Sequence, residues 1–329
     1  MRLNKKIFLL QLSTVGEGFG GIRTYVETLK KLYESAGYSA IIVGVGKSGT
    51  SRGCFDILLD YENILSIAEQ YPCIITFGDY KRFQKLILEV GKRAGCPLIV
   101  HDPNEMAEYL KEYAGTLITL RGRNRDYILN TYGLDSRLLR MPHANRIVGE
   151  VKKDKIEKSL SMFTIYFRKH PEIIIDAIKN HNVDIDFYGT FNSGSRMTEF
   201  AVLKPKFPDW RNYYRGEFHG DKIEFISQYK FFIDMTSIKN HGGFQYTNLE
   251  CYSAGTPIII HKKFYEQDGY DHIDGVNCLT ASNGAGLKEL IPSVDVDTYA
   301  SLIDRGFEEA RKHHIDNEEV REMYLGLLK

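Results

Sequence analysis

Short apolar runs bounded by glycine, proline and polar turns alternate with helix-period segments along the chain. In the first half this pattern predicts six strands with helices between them. The predicted strands are Lys6–Leu12, Ala40–Val45, Cys73–Phe77, Pro97–His101, Thr116–Leu120 and Leu138–Met141, and the predicted helices are Gly21–Glu34, Tyr80–Gly91, Glu105–Tyr113 and Arg125–Tyr132. Continuous apolar strands that alternate with helices are typical of a parallel sheet covered on both faces.

The alternation restarts in the second half, after a polar segment. Arg146–Ser161 carries no apolar run, and we predict a domain linker there. Beyond it we predict strands Phe163–Phe167, Asp184–Tyr188, Phe231–Met235 and Pro257–His261, helices Glu172–Lys179, Lys222–Gln228 and Tyr246–Ala254, and a charged helical tail, Val296–Lys329. We therefore expect an α/β protein with two doubly wound, Rossmann-like domains facing across a cleft, and ligands at the carboxyl ends of the strands.

The chain length agrees with this division. With 329 residues, the protein exceeds one ordinary domain of roughly 150 residues. We predict a first domain over 1–150 and a second over 151–329, with the C-terminal helices as candidates for packing back on the first. Each half is long enough to bury its own core without a disulfide or a metal.

Composition excludes several classes of protein. The 43 Lys and Arg residues balance 43 Asp and Glu residues, so a bulk polycation is excluded, although a local basic face is not. The five cysteines show no CxxC or CxxH spacing, so we expect neither a zinc site nor a disulfide framework. The apolar run Ile7–Leu12 is too short for a signal peptide and no run is long enough to span a membrane, so we expect a cytoplasmic enzyme without a membrane partner.

A glycine-rich turn follows the first predicted strand. Gly16, Gly18 and Gly21 satisfy the GxGxxG spacing, but the acidic residue that a dinucleotide site requires about 20 residues later is missing. Glycines between a strand and a helix let backbone N–H groups approach a ligand closely. We predict that Gly18, Gly20 and Gly21 contact a donor substrate, and a flexible turn without a ligand is the alternative.

The segment His241–Pro257 is the densest functional signal. A glycine turn leads into a short helix whose amino terminus, at Tyr246, Thr247 and Asn248, is suited to an anion. Glu250 lies one turn inside and can accept hydrogen bonds from both hydroxyls of a ribose. A solvated helix glutamate is the alternative.

Two further segments lie at predicted strand ends. Arg168 and Lys169 precede a helix and are suited to a diphosphate, whereas a solvated helix start is the alternative. His101 and Asp102 can hydrogen-bond a hydroxyl or exchange a proton, although Asp-Pro is also an ordinary helix start.

Basic residues recur at the strand ends of the first half. Arg121, Arg123 and Arg125 follow one predicted strand, and Lys81 and Arg82 follow another. Such residues contact phosphates and supply DNA affinity that is independent of sequence. A solvated surface explains each cluster singly, but their shared placement on one rim favours DNA binding.

The segment from Leu249 to Pro257, LECYSAGTP, resembles the latter half of the signature EGFGxxxLEAxAxGTPV of retaining, GT4-like GT-B glycosyltransferases. In that signature the second Glu binds the ribose of a nucleotide sugar. The first Glu falls at Gly242, which departs from the pattern. The resemblance implies a GT-B fold and a retaining, metal-independent glycosyltransferase.

Three motifs also resemble the DNA α-glucosyltransferases of T-even phages. YTNLECYSAGT, from Tyr246, is similar to YTHLELGACGT, and GEGFGGIRTY, from Gly16, is similar to GLEGCGVTKF. His101-Asp102 resembles a His-Asp pair that follows a buried strand in the phage enzymes. Arg168-Lys169 lies near the position of their cationic Arg…Lys pair, with a shorter spacing in this chain. This resemblance implies a double-stranded DNA partner with a modified base, a hydroxymethylated pyrimidine.

The resemblances imply a role for each candidate residue. Glu250 binds the ribose, Arg168 and Lys169 neutralise the departing diphosphate, and His101 or Asp102 orients the acceptor. The co-substrate is a nucleotide sugar, with a UDP-sugar favoured, and no other cofactor is expected. The alternatives are a GT-B enzyme acting on a polysaccharide or small-molecule hydroxyl, and a non-catalytic DNA-binding or nucleotide-sugar-binding module.

Overall fold

A computed structural model describes residues 5–12, 20–46, 55–78, 80–101, 108–149, 155–191, 193–236, 245–268 and 272–328 of the chain. The chain divides into two compact units. Unit 1 comprises Met1–Ala144 and Lys312–Lys329, and unit 2 comprises Asn145–Arg311. The final segment therefore groups with unit 1, whereas the bounds predicted from the sequence include it in the second domain, with its helices as candidates for packing back on the first.

Unit 1 is built on a parallel sheet of seven strands in the order β3-β2-β1-β4-β5-β6-β7. Its central strands are apolar on both faces, and β1 is buried throughout its last six residues because helices cover both sides. The strands are β1 Lys5–Leu12, β2 Tyr38–Val45, β3 Ile57–Leu59, β4 Cys73–Gly78, β5 Leu98–Val100, β6 Leu117–Thr119 and β7 Arg137–Leu138; the helices are α1 Gly20–Ser35, α2 Tyr61–Gln70, α3 Tyr80–Ala94 and α4 Gly122–Tyr132, with a 3-10 turn at Glu108–Glu112.

Unit 2 has a five-stranded parallel sheet in the order β12-β11-β10-β8-β9. The strands are β8 Ile156–Met162, β9 Ile185–Tyr188, β10 Tyr229–Asp234, β11 Ile258–His261 and β12 Leu279–Ala281; the helices are α5 Pro171–His181, α6 Ser193–Thr198, α7 Lys204–Lys206, α8 Lys222–Ile226, α9 Tyr246–Ser253, α10 Lys262–Asp268, α11 Gly284–Ser293 and α12 Val296–His313, with 3-10 turns at Phe167–Lys169 and Trp210–Tyr213 and a π-helical turn at Glu199–Leu203. This order reverses direction between β8 and β10, and doubly wound sheets bind ligands at such a switch point.

The largest difference from the sequence-based elements is β8. The pattern assigns Arg146–Ser161 to a linker and begins a strand at Phe163, but β8 runs from Ile156 to Met162 near the middle of the sheet. Polar residues conceal this strand in the sequence, because Ser159 and Ser161 are buried within it. The Ser161 hydroxyl donates to the carbonyl of Ile233 at 2.8 Å, so its polar atom is satisfied inside the core.

Smaller differences occur in unit 1. The short strand β3 and helix α2 are absent from the predicted elements, and the predicted helix Glu105–Tyr113 is described only from Glu108 as a 3-10 turn. The predicted strand Leu138–Met141 is shorter and begins earlier, at Arg137. Helix α4 begins at Gly122, three residues before the predicted start.

The C-terminal segment of unit 1 is joined to it by buried hydrogen bonds. Helix α13 spans Glu318–Leu325 and ends in a 3-10 turn at Gly326–Leu328. The Tyr33 hydroxyl donates to the carbonyl of Tyr324 at 2.8 Å, and the Tyr324 hydroxyl donates to the carbonyl of Arg140 at 2.9 Å. These contacts, between residues 291 and 184 positions apart in sequence, explain why the last residues group with unit 1.

Candidate functional site

Two connections at the switch point of unit 2 bring together the predicted donor-binding residues. The first follows β8, where Phe167–Lys169 forms a 3-10 turn immediately before α5. His170 joins the turn to the helix in a left-handed conformation, with φ 48°. Pro171 then begins α5, where its missing N–H costs no hydrogen bond.

The second connection follows β10 and ends in helix α9. Gln245 is the residue before the first turn, and its backbone N–H donates to the Asn248 side-chain oxygen at 2.8 Å. Asn248 is buried, so this capping contact is shielded from water. At the other end, Gly255 has φ 63° and lies against the Phe307 ring, where a side chain would collide. The turn after α9 therefore requires glycine, as the sequence pattern indicates.

A side-chain contact joins the two connections. Lys169 Nζ donates to Gln245 Oε1 at 2.7 Å, which places one predicted diphosphate-binding cation at the start of α9. The Gln245 Nε2 atom is buried, and no residue in the described part of the chain supplies a hydrogen-bond partner for it. Arg168 is exposed, with its guanidinium 5.6 Å from the centre of the Phe167 ring. Of the two predicted cations, Lys169 is therefore the one held toward α9.

Glu250 lies on α9, one turn beyond this contact. Its side chain is 12% exposed and its Oε1 lies 3.4 Å from Nζ of Lys222, which is 54% exposed. Burial raises the pKa of the Glu250 carboxyl, and the positive charge of Lys222 opposes that rise. Glu250 is thus a nearly buried carboxylate with one mobile cation beside it, not a solvated helix residue.

Sequence reasoning missed Gln245 and Lys222. Gln245 stands where the glycosyltransferase signature has its second glycine, and that departure was the available signal. Lys222 is 28 residues before Glu250, and no sequence pattern links the two positions. Tyr246 and Thr247 are partly buried in the first turn of α9, and their predicted contact with the donor stays a prediction.

In unit 1, His101 lies immediately after β5. Its Nε2 is 2.8 Å from the carbonyl oxygen of Thr76, and its ring packs edge-on against Tyr25. Burial lowers the pKa of His101 to about 4, and the positive charge of Arg121 also lowers it, while the Thr76 contact opposes both. At neutral pH the ring is uncharged, so Nε2–H donates to Thr76 and Nδ1 is an acceptor. His101 can therefore accept a hydrogen bond from a hydroxyl.

We expect His101 to make the protein less stable in mild acid. Its pKa lies below the ordinary value of about 6.5, so the unfolded chain takes up a proton first as the pH falls. The stabilising contribution is complete above pH 6.5 and is lost toward pH 4. His101→Gln should therefore show a smaller fall in melting temperature between pH 7 and 5 than the wild type. The exposed His219→Gln variant should keep the wild-type slope, and an unchanged slope in His101→Gln would contradict the assignment.

The three predicted DNA-binding arginines lie at the start of α4. Arg121 precedes the first turn, and its Nη1 donates to the carbonyl of His101 at 3.3 Å. Arg123 lies within the first turn, and Arg125 forms an ion pair with Asp126 at 3.2 Å. Arg121 and Arg123 thus lie at the start of α4, and Arg125 follows them on the same helix. Arg121 also stabilises the fold through its hydrogen bond to the His101 carbonyl. All three are partly exposed.

Several predicted site residues lie outside the described residues. These are Asp102, Gly18 and Gly242, together with the side chain of Lys81. Gly20 and Gly21 form the beginning of α1, one residue before the predicted helix start at Gly21. The guanidinium of Arg82 lies 5.6 Å from the centre of the Phe83 ring, on α3. Whether any of these residues contacts a substrate stays a prediction.

The described part of the chain contains no group of three or more His, Cys, Asp and Glu side chains arranged to hold a metal ion. Across the same ranges, none of the helices has both the length and the apolar character that crossing a bilayer requires.

Comparison with known proteins adds to this geometry. Neither a scan against protein-family models nor a search of curated proteins gives a match. Among solved structures, Anabaena HepE in complex with UDP and glucose has a TM-score of 0.71 at 14% identity, over 98% of this chain and 100% of that chain. A glycosyltransferase from Rickettsia africae has a TM-score of 0.73 at 13% identity, over 99% and 100% of the two chains.

A third similar structure is the pneumococcal O-GlcNAc transferase GtfA in complex with UDP and GlcNAc. Its TM-score is 0.67 at 10% identity, over 99% of both chains. Similarities over nearly the whole chain at such low identity describe the fold. Together with the two parallel sheets, they confirm the predicted α/β GT-B fold.

Proposed function

We propose that this protein is a glycosyltransferase that uses a UDP-sugar. The observation that carries the proposal is the contact of Lys169 with Gln245 at the start of α9, with the nearly buried Glu250 one turn further along. A cation, a helix amino terminus and a carboxylate in this order match the diphosphate and ribose of a nucleotide sugar. The complexes of HepE with UDP-glucose and of GtfA with UDP support the choice of nucleotide.

The proposed mechanism requires charge stabilisation more than acid–base chemistry. The bond between the anomeric carbon and the diphosphate oxygen breaks, a bond from that carbon to the acceptor oxygen forms, and the proton of the acceptor hydroxyl passes to the departing diphosphate. Lys169 and Arg168 neutralise the charge that develops on the departing diphosphate. Glu250 anchors the ribose, so that the leaving group stays in register with these cations. The signature resemblance supports retention, with the acceptor approaching on the face from which the diphosphate leaves.

We further propose that no metal is needed, because two cationic side chains can take over the role of a divalent ion at the diphosphate. Chelator treatment should leave transfer and UDP affinity unchanged. A loss that is restored by added Mg²⁺ or Mn²⁺ would contradict this part of the proposal.

For the acceptor we propose a hydroxymethylated pyrimidine in double-stranded DNA, flipped out so that its hydroxyl reaches the donor. The supporting observations are the YTNLE segment, the glycine turn and the three arginines at the start of α4. His101, uncharged and able to accept a hydrogen bond, is suited to orient the hydroxyl. A polysaccharide or small-molecule hydroxyl is the alternative acceptor, and a non-catalytic binding module is the alternative of another class.

One experiment tests donor and acceptor together. Hydroxymethylated and unmodified DNA are incubated with a panel of nucleotide sugars, and the digested nucleosides are analysed by mass. A hexose or pentose increment on the hydroxymethylated base with one UDP-sugar supports the full proposal. Hydrolysis of a UDP-sugar without any DNA product favours a polysaccharide or small-molecule acceptor. Binding of UDP without turnover on any acceptor class favours the non-catalytic module.

We expect Arg121, Arg123 and Arg125 to supply phosphate contacts. Replacing all three by Ser should weaken DNA binding and lower the salt slope by up to about one unit per lost contact. UDP affinity should stay unchanged, because the proposed donor site lies in unit 2. Since Arg121 also contacts His101, the Arg123→Ser/Arg125→Ser double variant separates phosphate binding from a disturbed histidine.

The matched control replaces three exposed lysines of unit 1, Lys31, Lys85 and Lys92, by Ser. This variant removes the same charge and should keep the wild-type salt slope. If both triple variants weaken DNA binding equally, the affinity comes from overall charge, and the arginines are not a specific contact surface.

A further inference from the structure

Gln245 has two properties that its capping position does not explain. Its side-chain oxygen accepts from Lys169 Nζ at 2.7 Å, while its side-chain nitrogen is buried and has no hydrogen-bond partner among the described residues. The cap of α9 is formed with Asn248: the Gln245 N–H donates to Asn248 Oδ1, and the Gln245 carbonyl accepts from Asn248 N at 3.0 Å. The Gln245 side chain also belongs to this reciprocal capping box, but the cap provides no acceptor for its nitrogen.

A buried amide donor without an acceptor is costly, at about 1–3 kcal/mol. A ligand that supplies the missing acceptor would remove this cost. Here the unpartnered N–H₂ belongs to the same amide whose oxygen holds a lysine ammonium. An anionic oxygen of a ligand bound to Lys169 would therefore lie near Gln245 Nε2 and could accept a hydrogen bond from it.

Gln245 departs from the glycosyltransferase signature that its segment resembles. In the segment aligned on Leu249-Glu250, the glycosyltransferase signature has glycine at this place, and glycine has no side chain to hold a cation. The connections that carry Lys169 and Gln245 follow β8 and β10, the two strands that flank the switch point of the sheet. A link between these connections fixes the distance between the cation and the helix start.

We propose that Gln245 is a positioning residue that holds Lys169 at the diphosphate of the donor and donates from Nε2 to an anionic oxygen of the same group. The inference rests on the proposed function, because it assigns the donor site its anchor. Lysine has a long side chain with considerable rotamer freedom, and fixing its ammonium before the donor arrives lowers the entropic cost of charge stabilisation in the transition state. Because Gln245 acts by holding the Lys169 ammonium in place, its loss should lower kcat more than it weakens binding of the donor.

The test is a double-mutant cycle with Gln245→Met and Lys169→Met. Methionine matches the length of glutamine and is one atom shorter than lysine, and it removes the amide in one case and the ammonium in the other. We expect kcat to fall about 20-fold in Gln245→Met and about 100-fold in Lys169→Met, with KM for the UDP-sugar changing less than about three-fold. If the two residues act independently, their effects multiply and kcat of the double variant falls about 2,000-fold. If Gln245 acts through Lys169, kcat of the double variant falls only about 200-fold.

Gln245→Glu provides a second measurement. It keeps an oxygen for Lys169 but removes the N–H₂ group and adds a negative charge. UDP affinity, measured by calorimetric titration, should fall at least about ten-fold and should partly recover at high salt, because salt screens the added charge. Gln245→Met should lose less UDP affinity than Gln245→Glu.

The Lys179–Asp209 ion pair is the matched control, since it is another lysine link in unit 2 with an Nζ–Oδ1 distance of 2.6 Å. Lys179→Met and Asp209→Asn should leave kcat within about two-fold of wild type, because this pair is on the surface. Circular dichroism and thermal melting of all variants show whether each keeps the wild-type fold and stability.

Two outcomes overturn the inference. Multiplicative effects in the cycle, or a Gln245→Met variant with wild-type kcat, show that Gln245 does not hold Lys169, while the proposed function stands. A wild-type protein that neither binds UDP nor transfers a sugar overturns the proposed function and this inference with it.

Discussion

Loss of the Lys169 charge is expected to lower sugar transfer about 100-fold in kcat, while the affinity for the UDP-sugar changes much less. The reason is that a diphosphate gains negative charge as the glycosidic bond breaks, so a fixed cation stabilises the transition state more than the ground state. Lys169 is fixed by Gln245 at 2.7 Å, at the start of α9. Single-turnover measurements with Lys169→Met, alongside UDP titration, separate the two quantities.

Arg168→Ala is expected to have a similar effect if the donor draws the guanidinium away from the Phe167 ring, against which it lies. The structure makes Lys169 the better-placed of the two cations, so Lys169→Met should be the more damaging single change. Equal losses of kcat and of affinity would mean that these cations stabilise the bound donor as much as the transition state. Full activity in both variants would place the diphosphate elsewhere in the molecule.

Replacement of Glu250 by glutamine is expected to weaken UDP binding by about 2 kcal/mol or more, which is roughly 30-fold, because two charge-assisted hydrogen bonds to the ribose become neutral ones. The unliganded variant should be no less stable than the wild type at pH 7. Burial raises the pKa of this carboxyl above its value in the unfolded chain, so the ionised group costs stability at neutral pH. Calorimetric titration and thermal melting measure the two effects separately.

The ionisation of Glu250 also gives UDP binding a pH dependence. Affinity should fall as the pH is lowered through the raised pKa, because the protonated carboxyl is a weaker acceptor. Lys222→Met removes the cation that opposes this rise, so the fall should begin at a higher pH. Unchanged UDP affinity in a folded Glu250→Gln variant would show that Glu250 only packs against its helix.

Much of the fold was predictable from local pattern. Buried parallel strands such as β4 and β11 are nearly continuous apolar runs, and glycine or proline marks their ends. The GT-B fold followed from the segment around Glu250, and the structural comparisons confirm it. Strand β8 was not predictable in this way, because its polar residues include the buried Ser161, whose hydroxyl is satisfied by Ile233 on β10, 72 residues away in sequence.

For the candidate site, sequence motifs identify which residue types could bind a donor. The contacts in the folded structure show which of these residues lie together. Glycines, a helix start and Glu250 are local features, because backbone conformation and helical periodicity depend on near neighbours in the chain. The contacts of Lys169 with Gln245 and of Lys222 with Glu250 join residues 76 and 28 positions apart. The pKa of Glu250 depends on burial by the whole unit. Such properties arise only when the sheet brings distant connections to one edge, since charge and desolvation depend on distance in space and not on separation along the chain.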